Sequence, residues 1–283
     1  MALVTSKELL LDAQKNHYAV GAFNVENMEF VMAVLAAAEE KNSPVIMQTT
    51  PGTIKFAGVD YYFANVKAAA ERANVPVVMH LDHGNSFSMA MQAFRAGYTS
   101  IMIDGSKLPF EENITLTKSV VDACHAGGVP VEGELGKVGG KEDDLENDDD
   151  NPYTDPKEAA DFVERTGVDS LAVGIGTAHG VYKGVPKVNI EVLGKIQSAI
   201  DIPLVMHGTS GVPDEQVIAC IKLGICKVNY ATDLRIAFTD GVKQFIAKNP
   251  EAFDPKKYSA VGMERIKAYV MQKMEMLGSV DRA

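Results

Sequence analysis

Short apolar runs alternate with amphipathic stretches along the whole chain of 283 residues. The apolar runs are rich in Val, Ile, Leu and Met without regular polar alternation, which is typical of parallel strands buried on both faces. Eight strands are predicted: Tyr18–Val25, Pro44–Thr50, Val75–Asp82, Ser100–Asp104, Val129–Leu135, Ser170–Gly176, Ile202–Gly208 and Ile225–Ala231.

A stretch with helical periodicity follows each predicted strand. The predicted helices are Glu29–Lys41, Tyr61–Ala73, Ser86–Ala96, Glu112–Ala126, Pro156–Thr166, Ile190–Ala199, Asp214–Leu223 and Asp233–Lys248. Several end in a glycine, as at Gly97 and Gly167, and glycine can adopt the left-handed conformation that closes a helix. A first helix is predicted within Met1–Asp12 and a last one at about Pro255–Leu277.

Eight strand–helix units without a break in composition predict an α/β fold, a single TIM (β/α)8 barrel that occupies residues 1–283 as one domain, with an extra C-terminal helix. A doubly wound open sheet is the alternative. The segment Lys137–Thr154, rich in glycine and acidic residues, interrupts the alternation. Because it follows the fifth strand, it is predicted to be a long loop on the active face of the barrel.

Charge and composition narrow the class of function. A formal net charge of −11 argues against nucleic acid or an anionic membrane as the main partner. An anionic metabolite is still compatible, because a metal and backbone N–H groups can supply local positive potential. No apolar run approaches the ~20 residues that span a bilayer, and the N-terminus is typical of an ordinary helix rather than a signal peptide. Three cysteines without CxxC spacing favour a cytoplasmic protein.

Three histidines share one local pattern, in which an apolar strand runs out into a glycine turn. They are His83, His179 and His207, each followed directly by glycine. A parallel barrel brings strand ends together, so these imidazoles can converge. Three protein ligands with one open position are typical of catalytic zinc. The pattern therefore predicts a metal centre at the strand ends.

Acidic residues at the same strand ends are candidate acid–base groups. Asp82 directly precedes His83, and in a regular strand their side chains would point to opposite faces. Both can reach one substrate only if the strand loosens at Gly84. Glu132 and Glu134 share one face of the fifth strand, and inward carboxylates are costly to bury unless a cation pairs with them.

Loops at the predicted active face supply further candidates. Asp104 ends the fourth strand, and Glu142 follows a Gly-Gly hinge in the long loop, where it is either a mobile catalytic acid or a spectator. The segments Gly208–Gly211 and Asn229–Thr232 follow the seventh and eighth strands and precede predicted helices. Such loops often bind phosphate through helix N-terminal amides, although the same residue types also serve as ordinary turns and caps.

Together these motifs resemble those of the class II, metal-dependent ketose-bisphosphate aldolases, collinearly over essentially the whole chain. The motifs are His80–Gly84, Glu132–Gly136 with Gly139–Gly140, Gly176–Gly180, His207–Gly211 and Asn229–Thr232. Within the family the chain is most similar to tagatose-1,6-bisphosphate aldolases, on the residues Thr50–Thr53, Gly176–Gly180, Val212–Glu215 and Asn229–Thr232.

The resemblance implies reversible, zinc-dependent cleavage of D-tagatose 1,6-bisphosphate to glycerone phosphate and D-glyceraldehyde 3-phosphate. Fructose-1,6-bisphosphate cleavage, and a non-catalytic or helper-dependent subunit, are the alternatives. The resemblance further implies that Zn²⁺ is bound by His83, His179 and His207, with Asp104 and Glu134 as positions for a displaced or second ion. Asp82 would be the acid–base group at the C4 hydroxyl, and Glu142 would move the proton at C3 of glycerone phosphate.

The resemblance also implies the substrate contacts and the assembly. The substrate-binding residues would be Asn24, Thr50, Gly180, Gly208, Thr209, Ser210, Asn229, Tyr230, Ala231 and Thr232. A monovalent cation, Na⁺ or K⁺, would lie near the C1 phosphate. The protein would be a cytoplasmic homo-oligomer, a dimer or a tetramer.

Two other chemistries compete with that of a metal aldolase. A Schiff-base aldolase needs a desolvated lysine inside the barrel; the sixth strand has none, and Lys227 in the eighth lacks an obvious carboxylate partner. A barrel metallohydrolase would use histidine ligands and an acid, but it would not need paired anion-binding loops.

Overall fold

Strands and helices alternate along the computed structural model, which describes residues 3–136, 138–142, 145–147, 153–182 and 184–283, with backbone alone for 140–142 and 145–147. The strands in this part of the chain are β1 (Val20–Asn24), β2 (Val45–Thr49), β3 (Val77–Gly84), β4 (Ser100–Ile103), β5 (Val131–Leu135), β6 (Gly139–Glu142), β7 (Leu145–Asn147), β8 (Ser170–Val173), β9 (Ala178–His179), β10 (Leu204–Met206) and β11 (Ile225–Tyr230).

The helices in the same part of the chain begin at positions that favour helix starts. Asn27, Ser86 and Asn189 each accept a backbone N–H with the side chain, as N-caps do. The helices are α1 (Ser6–Asn16), α2 (Met28–Glu40), α3 (Pro51–Ala57), α4 (Val59–Ala70), α5 (Phe87–Ala96), α6 (Phe110–Ala126), α7 (Pro156–Thr166), α8 (Ile190–Ala199), α9 (Asp214–Ile221), α10 (Thr232–Lys248) and α11 (Pro255–Leu277). Among them, none combines the length and apolar character that a membrane crossing requires.

Eight of the strands close into a parallel barrel in the order β1-β2-β3-β4-β5-β8-β10-β11. Closure is made by β1 and β11, where Val20 lies opposite Lys227 and Phe23 opposite Tyr230. All residues of these eight strands are buried, in keeping with their continuous apolar character. The predicted TIM barrel with an extra C-terminal helix, α11, is therefore confirmed, and the open sheet is excluded.

The barrel interior changes from apolar to polar along its axis. At the amino-terminal end, Leu10 and Ala13 of α1 pack with Val20, Ile46 and Val78 from the starts of three strands. At the carboxyl end the inner layer is polar instead, because β1, β2 and β3 carry buried Asn24, Gln48 and Asp82 at or near their ends. The fold thus confines a polar pocket to the end where the βα loops lie.

Two helices differ from the predictions. Helix α1 starts at Ser6 and runs to Asn16, beyond the predicted Asp12. Helix α3 was not predicted; Pro51 is at its first position, where its fixed φ is favourable, and Thr50 caps it through a hydrogen bond from the Thr53 amide at 3.3 Å.

The predicted loop Lys137–Thr154 contains strands β6 and β7, so it is not simply a loop; Lys137, 143–144 and 148–152 lie outside the described residues. Strand β6 pairs antiparallel with β7 and parallel with β9. Gly140 lies opposite His179 in that pairing, which joins this segment to a predicted metal ligand.

Candidate active site

The structure brings the three strand-end histidines together at the carboxyl end of the barrel. The ring of His83 lies 4.9 Å from that of His179 and 4.7 Å from that of His207, and the last two rings are 6.2 Å apart, measured between centroids. One ring nitrogen from each lies within 4.8 Å of the others. Three imidazoles at such distances can share one metal ion.

Carboxylates determine which nitrogens of His83 and His207 carry protons. His83 Nδ1 lies 3.0 Å from Asp104 Oδ2, and His207 Nε2 lies 2.9 Å from Glu132 Oε1. Because a carboxylate accepts, we assign the proton to each of these nitrogens. The remaining nitrogens, His83 Nε2 and His207 Nδ1, face each other at 3.0 Å with their lone pairs. Two such lone pairs repel unless a cation lies between them, so this donor set fits a divalent metal.

Two of the predicted metal ligands, His179 and His207, are held neutral, as metal ligands must be. Burial, reinforced by the neighbouring His83, lowers the pKa of His179 to about 3. Burial likewise holds the pKa values of His207 and His80 well below the usual range. The rings of His80, His179 and His207 are therefore neutral at pH 7.

Glu134 places an unsatisfied carboxyl oxygen beside the imidazoles. Its Oε2 is buried without a hydrogen-bond partner among the described residues, 3.6 Å from His83 Nδ1 and 3.5 Å from His207 Nδ1. Burial, together with the charge of Asp104, raises the pKa of Glu134. For Asp104 itself burial acts in the same sense, but the hydrogen bonds from His83 and Ser106 outweigh it and lower its pKa. Ligand atoms of His83, Asp104 and Glu134 form a second possible metal-binding group.

An irregular backbone allows Asp82 and His83 to reach the same space. His83 adopts a left-handed φ of 49°, and the register against β4 shifts between Leu81 and Gly84. The shift removes the strict alternation that would send the two side chains to opposite faces. Asp82 Oδ1 thereby lies 4.0 Å from His83 Nε2. The irregular end of β3 that the sequence requires, if Asp82 and His83 are to reach one substrate, is therefore present.

Three side-chain amides surround the Asp82 carboxylate. Asn24 Nδ2 and Gln48 Nε2 each donate to Oδ2 at 3.0 Å, and Asn229 Nδ2 donates to Oδ1 at 3.0 Å. Gln48 Nε2 also donates to Asn24 Oδ1 at 2.8 Å. Burial alone would raise the pKa of Asp82, but the interactions with His83, His207 and Lys227, together with the hydrogen bond from Asn24, outweigh it and lower the pKa. Asp82 is therefore ionised and oriented.

A cleft beside the histidines is lined by most of the predicted substrate-binding residues. Its lining is Asn24, His179, Gly180, Gly208, Thr209, Ser210, Asn229, Ala231 and Thr232. Gly208 has a φ of 62°, and a Cβ there would lie 2.7 Å from the Ala178 carbonyl, so glycine permits the close approach of these loops. The Tyr182 hydroxyl accepts from the Ala178 amide at 2.6 Å and donates to the Gly208 carbonyl at 2.8 Å, which fixes the loops together.

Three predicted site residues lie elsewhere or cannot be described. The Tyr230 side chain is buried against Phe23, with ring centroids 5.8 Å apart, and only its backbone can face the cleft. Thr50 is buried and caps α3. Glu142 ends β6, and its side chain lies outside the described part of the chain.

Sequence reasoning missed two interactions in the barrel. Gln48 was not proposed, although a polar residue within the apolar strand β2 is the signal that could have revealed it. Lys227 was expected to lack a carboxylate partner, which is wrong: its Nζ lies 2.9 Å from Glu132 Oε2. That pairing joins β11 to β5 across the barrel, so sequence separation concealed it.

Comparison with known proteins agrees with this geometry. Residues 4–282 match the family model described as fructose-bisphosphate aldolase class II. The YdjI aldolase from Escherichia coli K12 superposes with a TM-score of 0.89 at 38% identity, covering 99% of this chain and 99% of that one. A fructose-bisphosphate aldolase from Campylobacter jejuni superposes with a TM-score of 0.85 at 27% identity, covering 100% and 97% of the two chains.

Proposed function

The chain is a member of the class II fructose-bisphosphate aldolase family, a group of carbon–carbon lyases, and from that premise we propose that it cleaves D-tagatose 1,6-bisphosphate in a zinc-dependent reaction. The products are glycerone phosphate and D-glyceraldehyde 3-phosphate, and the reaction is reversible. The observation that carries the proposal is the convergence of three imidazoles next to an ionised, oriented Asp82.

The metal ligands in this proposal are His83, His179 and His207. Asp104 and Glu134 hold a displaced or second ion. When bound there, Zn²⁺ supplies Lewis-acid stabilisation of the negative charge that develops beside the substrate carbonyl during cleavage. The facing lone pairs of His83 and His207 at 3.0 Å support this assignment, because neutral imidazole is a preferred zinc donor.

Asp82 accepts the proton of the C4 hydroxyl as the C3–C4 bond breaks, and it returns that proton in condensation. Its lowered pKa keeps it ready to accept, and the amides of Asn24, Gln48 and Asn229 hold both oxygens in a fixed direction. Glu142 moves the proton at C3 of glycerone phosphate. Gly140, two residues before Glu142, pairs with His179, and this pairing supports the proposal that Glu142 is within reach of the site.

The C1 phosphate lies in the cleft formed by Gly180, Gly208–Ser210 and Asn229–Thr232, with Na⁺ or K⁺ nearby. Support comes from the start of α10 at Thr232, because the first amides of a helix attract anions. Tyr230 takes part through its backbone. Asn24 and Thr50 contact substrate hydroxyls or the distal phosphate.

The alternative substrate is D-fructose 1,6-bisphosphate, which differs in the orientation of the C4 hydroxyl. The name of the matching family and that of the Campylobacter jejuni structure favour this alternative. Both substrates need the same metal centre and the same phosphate cleft. They differ only at the hydroxyl that Asp82 is proposed to deprotonate.

A coupled assay of triose phosphate release tests the proposal. The purified chain is supplied with each ketose bisphosphate in turn, and the zinc content of the same sample is measured. We expect about one zinc per chain and a higher kcat/KM for the tagatose ester. A higher kcat/KM for the fructose ester would mean that D-fructose 1,6-bisphosphate is the substrate. Release of triose phosphate only after a second protein is added would indicate a helper-dependent subunit.

We further propose that residues 1–283 form one domain and that the protein is a cytoplasmic homo-oligomer, a dimer or a tetramer. The pairing of β1 with β11, which closes the barrel from both ends of the chain, supports the single domain. Three free, buried cysteines support a reducing compartment. Light scattering coupled to gel filtration gives the oligomeric state directly.

A further inference from the structure

A buried chain of polar side chains crosses the barrel beneath the proposed metal centre. Its members, in order of contact, are Ser6, Ser100, His80, Lys227, Glu132 and His207. They come from α1, from four barrel strands and from the residue that follows β10, and none is more than 5% exposed. The proposed reaction uses only the last of them.

The hydrogen-bonding groups of Lys227 are fully engaged. Its Nζ lies 2.9 Å from Glu132 Oε2 and 3.2 Å from Oε1, and it donates to His80 Nε2 at 3.3 Å. His80 is neutral and accepts through Nε2, so its Nδ1 donates to Ser100 Oγ at 2.7 Å. An ammonium held in this way is not a free nucleophile for a Schiff base.

The ion pair constrains what Glu132 can do. Both carboxylate oxygens of Glu132 accept hydrogen bonds from the Lys227 ammonium, at 2.9 and 3.2 Å, and a carboxylate paired in this way can only accept. His207 Nε2, 2.9 Å from Glu132 Oε1, must therefore carry the proton. His207 Nδ1 is then left without a proton on the side of His83 and His179. A proton-donating group in place of Glu132 would allow the opposite tautomer, which cannot bind a metal through Nδ1.

We infer that Glu132 and Lys227 are positioning residues: Glu132 fixes the tautomer and ring orientation of His207, and Lys227 holds Glu132 in place. Buried ion pairs seldom stabilise a fold more than packed apolar side chains of the same volume would, so stability alone does not account for this pair. The inference rests on the proposed metal site and names two residues that serve it without touching the ion.

Zinc affinity of the full-length protein is the test, measured by competition with a chromophoric chelator at fixed pH. Glu132→Gln replaces the acceptor-only carboxylate by an amide that can also donate. We expect zinc to bind about 10–100-fold more weakly, the usual effect of losing such a partner. The matched control is Ser100→Ala, which removes a hydrogen bond from the same chain of side chains but does not touch His207. Its zinc affinity should stay within twofold of the unmodified protein.

A double variant separates positioning from folding. Glu132→Gln leaves Lys227 without its counter-charge, whereas Glu132→Gln with Lys227→Met removes both charges together. We expect the double variant to regain thermal stability, while its zinc affinity stays at least tenfold low and the visible spectrum of its Co²⁺ form stays altered. Recovery of both the affinity and the spectrum would overturn the inference, because the pair would then serve folding alone.

His207→Ala distinguishes failure of this inference from failure of the proposed function. If His207→Ala loses zinc and Glu132→Gln binds it normally, only the positioning role is wrong. If His207→Ala also binds zinc as tightly as the unmodified protein, the proposed metal centre itself is wrong. Weakened zinc binding in His207→Ala and in Glu132→Gln, with unchanged binding in Ser100→Ala, supports both the proposed metal centre and the positioning role.

Discussion

Asp82 is held by amides from three different strands, since Asn24 ends β1, Gln48 lies in β2 and Asn229 lies in β11. No single amide could fix both carboxylate oxygens. Together they orient the group, while His83, His207 and Lys227 lower its pKa, so that the carboxylate is ready to accept a proton. This arrangement is the residue-level basis for assigning Asp82 as the acid–base group.

Replacing Asp82 by Asn should lower kcat by about 10²–10⁴-fold, the usual contribution of a positioned acid–base group. Zinc content should not change, because Asp82 is not among the proposed ligands. Steady-state kinetics and metal analysis on one preparation measure both quantities. Asp60→Asn, at an exposed acid in the first turn of α4, is the control and should leave kcat unaltered. Unchanged turnover in Asp82→Asn would remove Asp82 from the mechanism.

The buried neutral histidines make the metal-free protein sensitive to acid. His179 has a native pKa of about 3, below the unfolded value of 6.5, so the unfolded chain takes up the proton first. Stability from this group is complete above pH 6.5 and is lost as the pH falls toward 3. His80 and His207 act in the same sense. Glu134, whose pKa is raised, acts in the opposite sense.

Urea denaturation of the chelator-treated protein at pH 7 and pH 5 measures this loss. The unmodified chain should lose roughly 2 kcal/mol more unfolding free energy over this interval than His179→Asn, because the variant lacks one of the protonating groups. Equal losses in the two proteins would contradict the lowered pKa of His179.

The sequence predicts the cluster of three histidines at the strand ends but not the full set of their neighbours. His83, His179 and His207 share a local signal, a strand followed by glycine, that is visible without the fold. Gln48 and Lys227 act through partners on other strands, and those contacts depend on the register around the barrel. Local patterns do not encode that register.

At the scale of elements, all eight barrel strands were predicted, because a strand buried on both faces is continuously apolar. The elements that were missed lack such a pattern. Helix α3 is seven residues long and begins with Pro51-Gly52, which is more typical of a turn. Strands β6 and β7 consist of glycine and charged residues for the most part, and β9 has only two residues. Their structure comes from pairing with one another, not from local preference.

Close packing of α10 on α11 gives a test at this scale. A Cβ on Gly241 would lie 2.9 Å from the Val261 carbonyl oxygen and 3.0 Å from Gly262 Cα, both backbone atoms of α11. Gly241→Ala should therefore lower the free energy of unfolding by about 1–3 kcal/mol, despite the higher helix propensity of alanine.

Gly194→Ala in α8 is the matched control, because a Cβ there meets no atom within 4 Å. It should raise the free energy of unfolding by up to about 1 kcal/mol, as expected for an unobstructed helix position. Thermal unfolding of both variants measures the two effects. Stabilisation by Gly241→Ala would mean that the two helices do not approach as closely as described.

For the whole molecule, the choice between metal and Schiff-base chemistry can be tested directly. Prolonged dialysis against a strong chelator should abolish cleavage, and stoichiometric Zn²⁺ should restore it. Borohydride added with substrate should leave activity intact, because Lys227 is buried and paired with Glu132. Mass spectrometry would detect a reduced lysine adduct, and its presence would reverse the mechanistic assignment.

Closure of the barrel by β1 and β11 has a consequence for synthesis of the protein. The partner of Val20–Asn24 is translated about 200 residues later, which takes roughly 10–40 s at ordinary rates of elongation. Throughout that interval the edge of β1 has no partner on one side and is open to pairing with other chains. Nascent chains translated from the same mRNA are therefore most vulnerable to aggregation with one another just before Ile225–Tyr230 emerges from the ribosome.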